Sequence, residues 1–293
     1  GVGIYFNNIV TPTKLFGAVI EGDLRIHKVT PDTPATSLGS VGIQARNLYH
    51  SHMSGFEVVG FGTGLYLLGD GVGCVWNQFN DAWIKNNCKN IRINNNATAG
   101  VNQGYANQNT FKSIRLDYNS SAYDETCYHL YIDAGPVKAS PPTVYRNNGN
   151  MFLHMSFEAA NFNVGHGPKA LWCDGLGNTI IDPRSEGINI SGASEPPEYQ
   201  FGPNSIWNKM LFGTYLYPPH VTDNGKNNTV ILGYSDRLYV TGKVLSAGQR
   251  AQAGFGPATV EYVLEGATLS GSTVTINNAL PANRQIHGVT PSI

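Results

Sequence analysis

Charge is what this chain of 293 residues has least of. Asp, Glu, Lys and Arg together make up 13% of it and the formal net charge is −1, where an ordinary globular protein carries roughly 25% charged residues. Such a surface has no electrostatic footprint for nucleic acid or for an anionic membrane. Apolar runs approaching the roughly 20 residues of a membrane span are also missing. The start, Gly1-Val-Gly-Ile-Tyr-Phe6, has no basic segment leading into an apolar one, so it does not read as a signal peptide. It reads as a strand entered midway, and the chain is expected to be a piece of a longer one. The four cysteines, Cys74, Cys88, Cys127 and Cys173, form no Cys-x-x-Cys pair. That spacing argues against a zinc site or a disulfide framework. Buried free thiols are expected instead, and with them assembly in a reducing cytoplasm. No metal or cofactor is called for: His50 and His52 share a face by alternation but have no third ligand at a usable distance. Helical periodicity is absent as well.

Glycine, at 34 residues, and asparagine are plentiful, and 41% of the chain is apolar. That is not a disordered composition. It fits a β-rich body with many tight turns, because Gly and Asn tolerate the left-handed backbone that turns need. A repeat organises the rest. Asn150-Met-Phe152 leads to Phe157-Glu158, and Asn178-Thr-Ile180 leads to Ser185-Glu186. In each copy an apolar residue follows the Asn by two and a carboxylate follows it by eight. Asn77-Gln-Phe79, Asn109-Thr-Phe111 and Asn228-Thr-Val230 open in the same way, with Asn204-Ser-Ile206 as a weaker match, giving spacings of 32, 41, 28, 26 and 24 residues. A second alternation recurs at Leu65-x-Leu67, Leu130-x-Ile132-Asp133 and Leu171-x-Cys173-Asp174.

Short strands repeating at this period predict stacked coils, an all-β, right-handed parallel β-helix over residues 1–243. The recurring Asn is expected to bond neighbouring backbone as a ladder. The rival architecture is a β-sandwich of antiparallel hairpins; against it, the repeats share a motif rather than a length. From Thr241 the register breaks, and residues 244–293 are expected to form a small, truncated β module.

The Asn-Thr-Phe/Ile openings, the Phe-Glu and Ser-Glu strand ends and the phrase Gly60-Phe-Gly-Thr-Gly-Leu65 resemble bacteriophage tailspike and tail-fibre β-helices of the pectate-lyase-like superfamily. The segment Ala279-Leu-Pro-Ala-Asn-Arg284 followed by Gly288-Val-Thr290 is similar to a small module near phage tail-protein C-termini. The resemblance implies a homotrimer displayed on the virion, partnered by other phage tail proteins, that binds bacterial surface polysaccharide (capsule or O-antigen) and often depolymerises it. It does not decide whether this member is an enzyme. The calcium-binding carboxylate cluster of a pectate lyase is missing.

Candidate chemistry lies in columns of the repeat. Eight residues after the repeat Asn stand Lys85, Asp117, Glu158, Glu186, Phe212 and Asp236. Stacked coils would set the carboxylates roughly 4.8 Å apart, where like charges raise at least one pKa. About 5 Å suits a retaining glycosidase, and two coils reach the upper edge for an inverting one. Asp117, Glu158, Glu186 and Asp182 are therefore the candidate catalytic carboxylates. The structural alternative is that the acids bond turn amides or line a trimer interface. Four residues after the Asn, His154 and Asp182 can form an oriented acid–base pair or a plain surface hydrogen bond. Arg115 and Arg184 share a column and either clamp a sugar or neutralise the acids. Tyr118, Trp207, Tyr215 and Tyr217 are candidate stacking platforms for sugar rings, some of them core. A non-enzymatic receptor-binding fibre and a cellular polysaccharide lyase or epimerase remain the alternatives.

Overall fold

The computed structural model describes residues 1–6, 15–34, 39–70, 72–96, 104–120, 122–135, 137–139, 142–144, 147–159, 167–186, 198–212 and 220–232, and strand backbones at 237–242, 251–253, 259–262, 267–270 and 273–276. Among these residues all regular structure is β. Four parallel sheets dominate. Sheet A has ten strands, from Val2–Phe6 through Val41–Arg46, Thr63–Asp70, Lys89–Asn96, Tyr128–Ile132, Lys169–Cys173 and onward to Thr259–Tyr262. Sheet B has four, ending at Tyr105–Asn107; sheet C has nine, among them Gln78–Asn80, Thr110–Lys112, Met151–Leu153 and Thr179–Ile181; sheet D has six, from Leu24–His27 to Arg184–Glu186.

The chain visits these sheets in turn. Thr63–Asp70 in A is followed by Gly73–Val75 in B, Gln78–Asn80 in C and Trp83–Lys85 in D, before Lys89–Asn96 re-enters A beside its predecessor. Each strand therefore bonds the same strand of the neighbouring turn, an arrangement compatible with a solenoid and a parallel β-helix. Parallel pairing continues past residue 243, where Ala251–Ala253 joins Thr229–Leu232 and Thr259–Tyr262 joins Arg237–Gly242. Antiparallel pairs occur at Val137–Ala139 with Pro142–Val144 and at Ala267–Ser270 with Thr273–Ile276.

Alternation along each strand sends one side chain in and the next out. Inside sheet A, Ile43, Leu65, Ile91, Leu130, Leu171, Tyr199 and Val221 form one in-register column, all buried. Inside sheet C, Phe79, Phe111 and Phe152 stack with centroids 5.0 and 4.8 Å apart, and Ile180, Met210 and Val230 continue the column. Offset stacks of this kind add about 0.5–1.5 kcal/mol per pair beyond the burial of the rings.

The asparagine ladder runs Asn77, Asn109, Asn150, Asn178, Asn208, Asn228. Each rung's Nδ2 donates to the Oδ1 of the next at 2.9–3.1 Å. Each rung's Nδ2 from Asn77 to Asn208 also donates to a backbone carbonyl at 2.9–3.1 Å, from Leu48, Cys74, Ala106, Asn147 and Gly175. The buried amides of the ladder are thus partnered through both Oδ1 and Nδ2, which is what keeps them inexpensive inside the core. The fifth rung corrects the expected register. Asn204 is not in the ladder; it turns to Asp174, with its backbone N donating to Oδ1 at 2.7 Å and Nδ2 to Oδ2 at 2.9 Å. Asn208 takes the place, so the spacings are 32, 41, 28, 30 and 20 residues. Phe212 consequently leaves the acid column: it pairs with Leu232 in sheet C.

Two corners are made by left-handed residues. The residue before each ladder position has positive φ, Trp76 58°, Gln108 54°, Gly149 62°, Gly177 62°, Trp207 57° and Asn227 55°, and so does His50, 48°, before Ser51 on the preceding turn. The corner between sheets C and D uses Asp81, Ser113, His154 and Asp182, with φ of 50–54°. Their backbone N–H groups donate to the next turn at 2.7–3.1 Å. The conformation costs a non-glycine residue roughly 1–2 kcal/mol, and the cost recurs at every turn of the stack.

Candidate functional site

Sheet D carries the acid column. Lys85, Asp117, Glu158 and Glu186 are register partners on successive strands. Beside them, on the same outer face, Trp83, Arg115, Ser156 and Arg184 form a second column. Val58, Ile84, Leu116, Phe157 and Ser185 point the other way into the core. The period-2 alternation of the sequence produces this division directly.

Arg115 ties the face together. Its guanidinium lies 2.6 Å from Glu158 and 3.5 Å from Asp117, and 4.9 Å from the centre of the Trp83 ring. Lys85 sits over the same ring at 3.5 Å and pairs with Glu57 at 2.9 Å. The Ser156 hydroxyl donates to Glu158 Oε1 at 2.6 Å. Asp117 is only 6% exposed. Burial raises its pKa above the ordinary carboxylate value, the Arg115 charge opposes that rise, and the Glu158 charge adds to it. Glu57, at the other end of the network, is shifted the opposite way: burial raises its pKa, but Lys85 and His27 outweigh it and hold it low. One face therefore holds a carboxyl that resists ionisation directly beside an ion-paired carboxylate.

The remaining expected residues are placed as follows. His154 and Asp182 meet at the C–D corner, Nδ1 to Oδ2 3.1 Å, both well exposed. Glu186 is in register with Glu158, and its side chain lies outside the described residues. Arg184 is exposed in the Arg115 column. Trp207 is 60% exposed. Tyr118 is fully buried, its hydroxyl donating to the carbonyls of Tyr128 at 2.9 Å and Cys88 at 3.3 Å. It is a core residue that offers no face to a sugar. Tyr215 and Tyr217 lie outside the described residues. The four cysteines are free and buried.

Sequence reading passed over a further strip on the outer face of sheet A, where Tyr66, Arg92, Tyr131 and Trp172 form one register column. Arg92 pairs with Asp133 at 2.9 Å and lies over the Tyr66 ring at 5.2 Å, and the Tyr131 and Trp172 rings stack at 6.2 Å. The signal was present in the alternations Leu65-x-Leu67, Leu130-x-Ile132 and Leu171-x-Cys173, whose central residue must point outward.

Among the described residues no group of three or more His, Cys, Asp or Glu is placed to hold a metal ion, and no helix is long and apolar enough to cross a membrane. Fold and faces together define an all-β protein of parallel sheets with a networked acidic face. Comparison with protein-family models, curated proteins and solved structures finds no match to the chain.

Proposed function

We propose that this chain is a right-handed parallel β-helix from a phage tailspike or tail fibre, assembled as a homotrimer in the host cytoplasm and displayed on the virion. It binds bacterial surface polysaccharide, capsule or O-antigen, and hydrolyses it with Asp117 and Glu158. The observation that carries this reading is the in-register adjacency of the two carboxyl groups, one of them buried with a raised pKa. Partners on neighbouring strands lie roughly 4.8 Å apart, close to the separation at which a second carboxylate acts as nucleophile in a retaining glycosidase. Asp117 is then the acid that protonates the glycosidic oxygen. Glu158, positioned by Arg115 and Ser156, is the nucleophile. Once the leaving group departs, Asp117 takes a proton from water, which releases the sugar from Glu158.

The test is the size of purified capsule or O-antigen after incubation with the protein, followed by Glu158→Gln and Asp117→Asn. Shortened polymer with new reducing ends, abolished by either change, supports hydrolysis; unsaturated products point to elimination instead. A specific observation favours a second reading, a receptor-binding fibre that does not cleave: Arg115 already spans both carboxylates. Retained binding with no fall in polymer size supports that reading and removes the enzymatic one.

A further inference from the structure

The corner between sheets B and C carries a feature the acid face does not use. Two of the four tryptophans in the chain, Trp76 and Trp207, sit in its left-handed column, at φ 58° and 57°. A bulky residue in this region of backbone space is an outlier that asks for a reason. Neither ring supplies one through burial: Trp76 is 49% and Trp207 60% exposed. Between them on successive turns lie Gln108, Gly149 and Gly177.

The geometry assigns this corner as a binding shelf for an uncharged oligosaccharide. Trp76 and Trp207 form its ends, and Gly149 and Gly177 form a bare floor between them. Four turns separate the two rings, roughly 19 Å at about 4.8 Å per strand, which is room for a short run of sugar rings along the stack. Trp76 is held in place before any ligand arrives. The His50 ring lies against it at 4.8 Å, and its indole N–H donates to Gln108 Oε1. A fixed aromatic platform loses little conformational entropy on binding. Side chains of the column are His50, Trp76, Gln108, Trp207 and Asn227, none of them an acid or a strong base. Stacking faces and amide hydrogen-bonding groups suit the C–H faces and hydroxyls of neutral sugars, whereas an acidic polymer or a nucleic acid would find no cation in the column. The shelf rests on the glycan reading above and adds a subsite on the far edge of sheet C from the acid face.

The probe is an array of bacterial capsular and O-antigen oligosaccharides, with affinities for the hits measured in solution. Trp76→Ala and Trp207→Ala are each expected to weaken binding about tenfold or more, while Trp76→Phe and Trp207→Phe restore most of it. Gly149→Asn, which keeps a left-handed-tolerant residue but puts a side chain on the floor, is expected to weaken binding with an unchanged melting temperature. Oligosaccharide bound equally well by both alanine variants overturns the shelf and leaves the glycan reading standing. Binding to nothing on the array by the unaltered protein overturns both. A change in solution mass in the alanine variants makes the corner a contact between copies of the chain and overturns the shelf.

Discussion

Asn150 shows how much one side chain carries in this stack. Its Oδ1 accepts from both the backbone N and Nδ2 of Asn109, while its own Nδ2 donates to Asn178 and to Ala106 O. Asn150→Ala strands donors on one turn and acceptors on another, at a position with no solvent-exposed surface. We expect a loss of at least about 2 kcal/mol in chemical denaturation. His129 sets an acid limit. It is fully buried against Tyr118 and Phe157, and burial lowers its pKa from 6.5 to about 3. The unfolded chain takes up a proton on this ring below pH 6.5, and the folded chain does not until about pH 3. Stability is therefore whole above pH 6.5 and declines between there and about 3, by up to about 1.4 kcal/mol per pH unit. Denaturation curves across this range should show that slope, and His129→Phe should flatten it.

At the scale of elements, the outer face of sheet D and the inner face of sheet C ask for different tests. Asp117 pays an electrostatic penalty where it stands. Its raised pKa means that its contribution to stability is greatest below pH 3.8 and is lost as pH rises through the folded value. Asp117→Asn should then leave the melting temperature at pH 7 unchanged or slightly higher. If polysaccharide cleavage vanishes in the same variant, the carboxyl acts in chemistry and not in holding the sheet. Phe111 lies between Phe79 and Phe152, with no exposed surface. Phe111→Ala opens a cavity that two neighbouring rings cannot both close, and a loss of about 3–5 kcal/mol is expected in equilibrium unfolding.

For the whole molecule, the proposed homotrimer predicts a solution mass three times 31.6 kDa, measurable by light scattering. On the outer face of sheet C the column Ser54, Asn80, Lys112 gives way to Leu153, Ile181, Leu211 and Ile231 on the following turns, each half-buried. Apolar side chains lined up on four successive turns offer a continuous seam to another copy. Leu211→Asp should lower the measured mass if the copies meet there, without altering the melting of the separated chain.

By itself the sequence determined the repeat. Alternation and the Asn-x-apolar opening are local signals, read within a few residues, and they marked the inward columns and the in-register acids Asp117, Glu158 and Glu186. Only the tertiary structure decided between Asn204 and Asn208, because both open an Asn-x-apolar phrase and the choice rests on bonds to Asn178 and Asp174, some 30 residues away. That choice moved Phe212 out of the acid column. Tyr118 was equally illegible: it follows Asp117 on the strand, yet the direction of its ring and the two carbonyls that receive its hydroxyl are set by neighbouring turns. The strained tryptophans of the B–C corner belong to the same class, since a left-handed backbone at Trp76 and Trp207 is imposed by the stack and contradicts the preference of the residue.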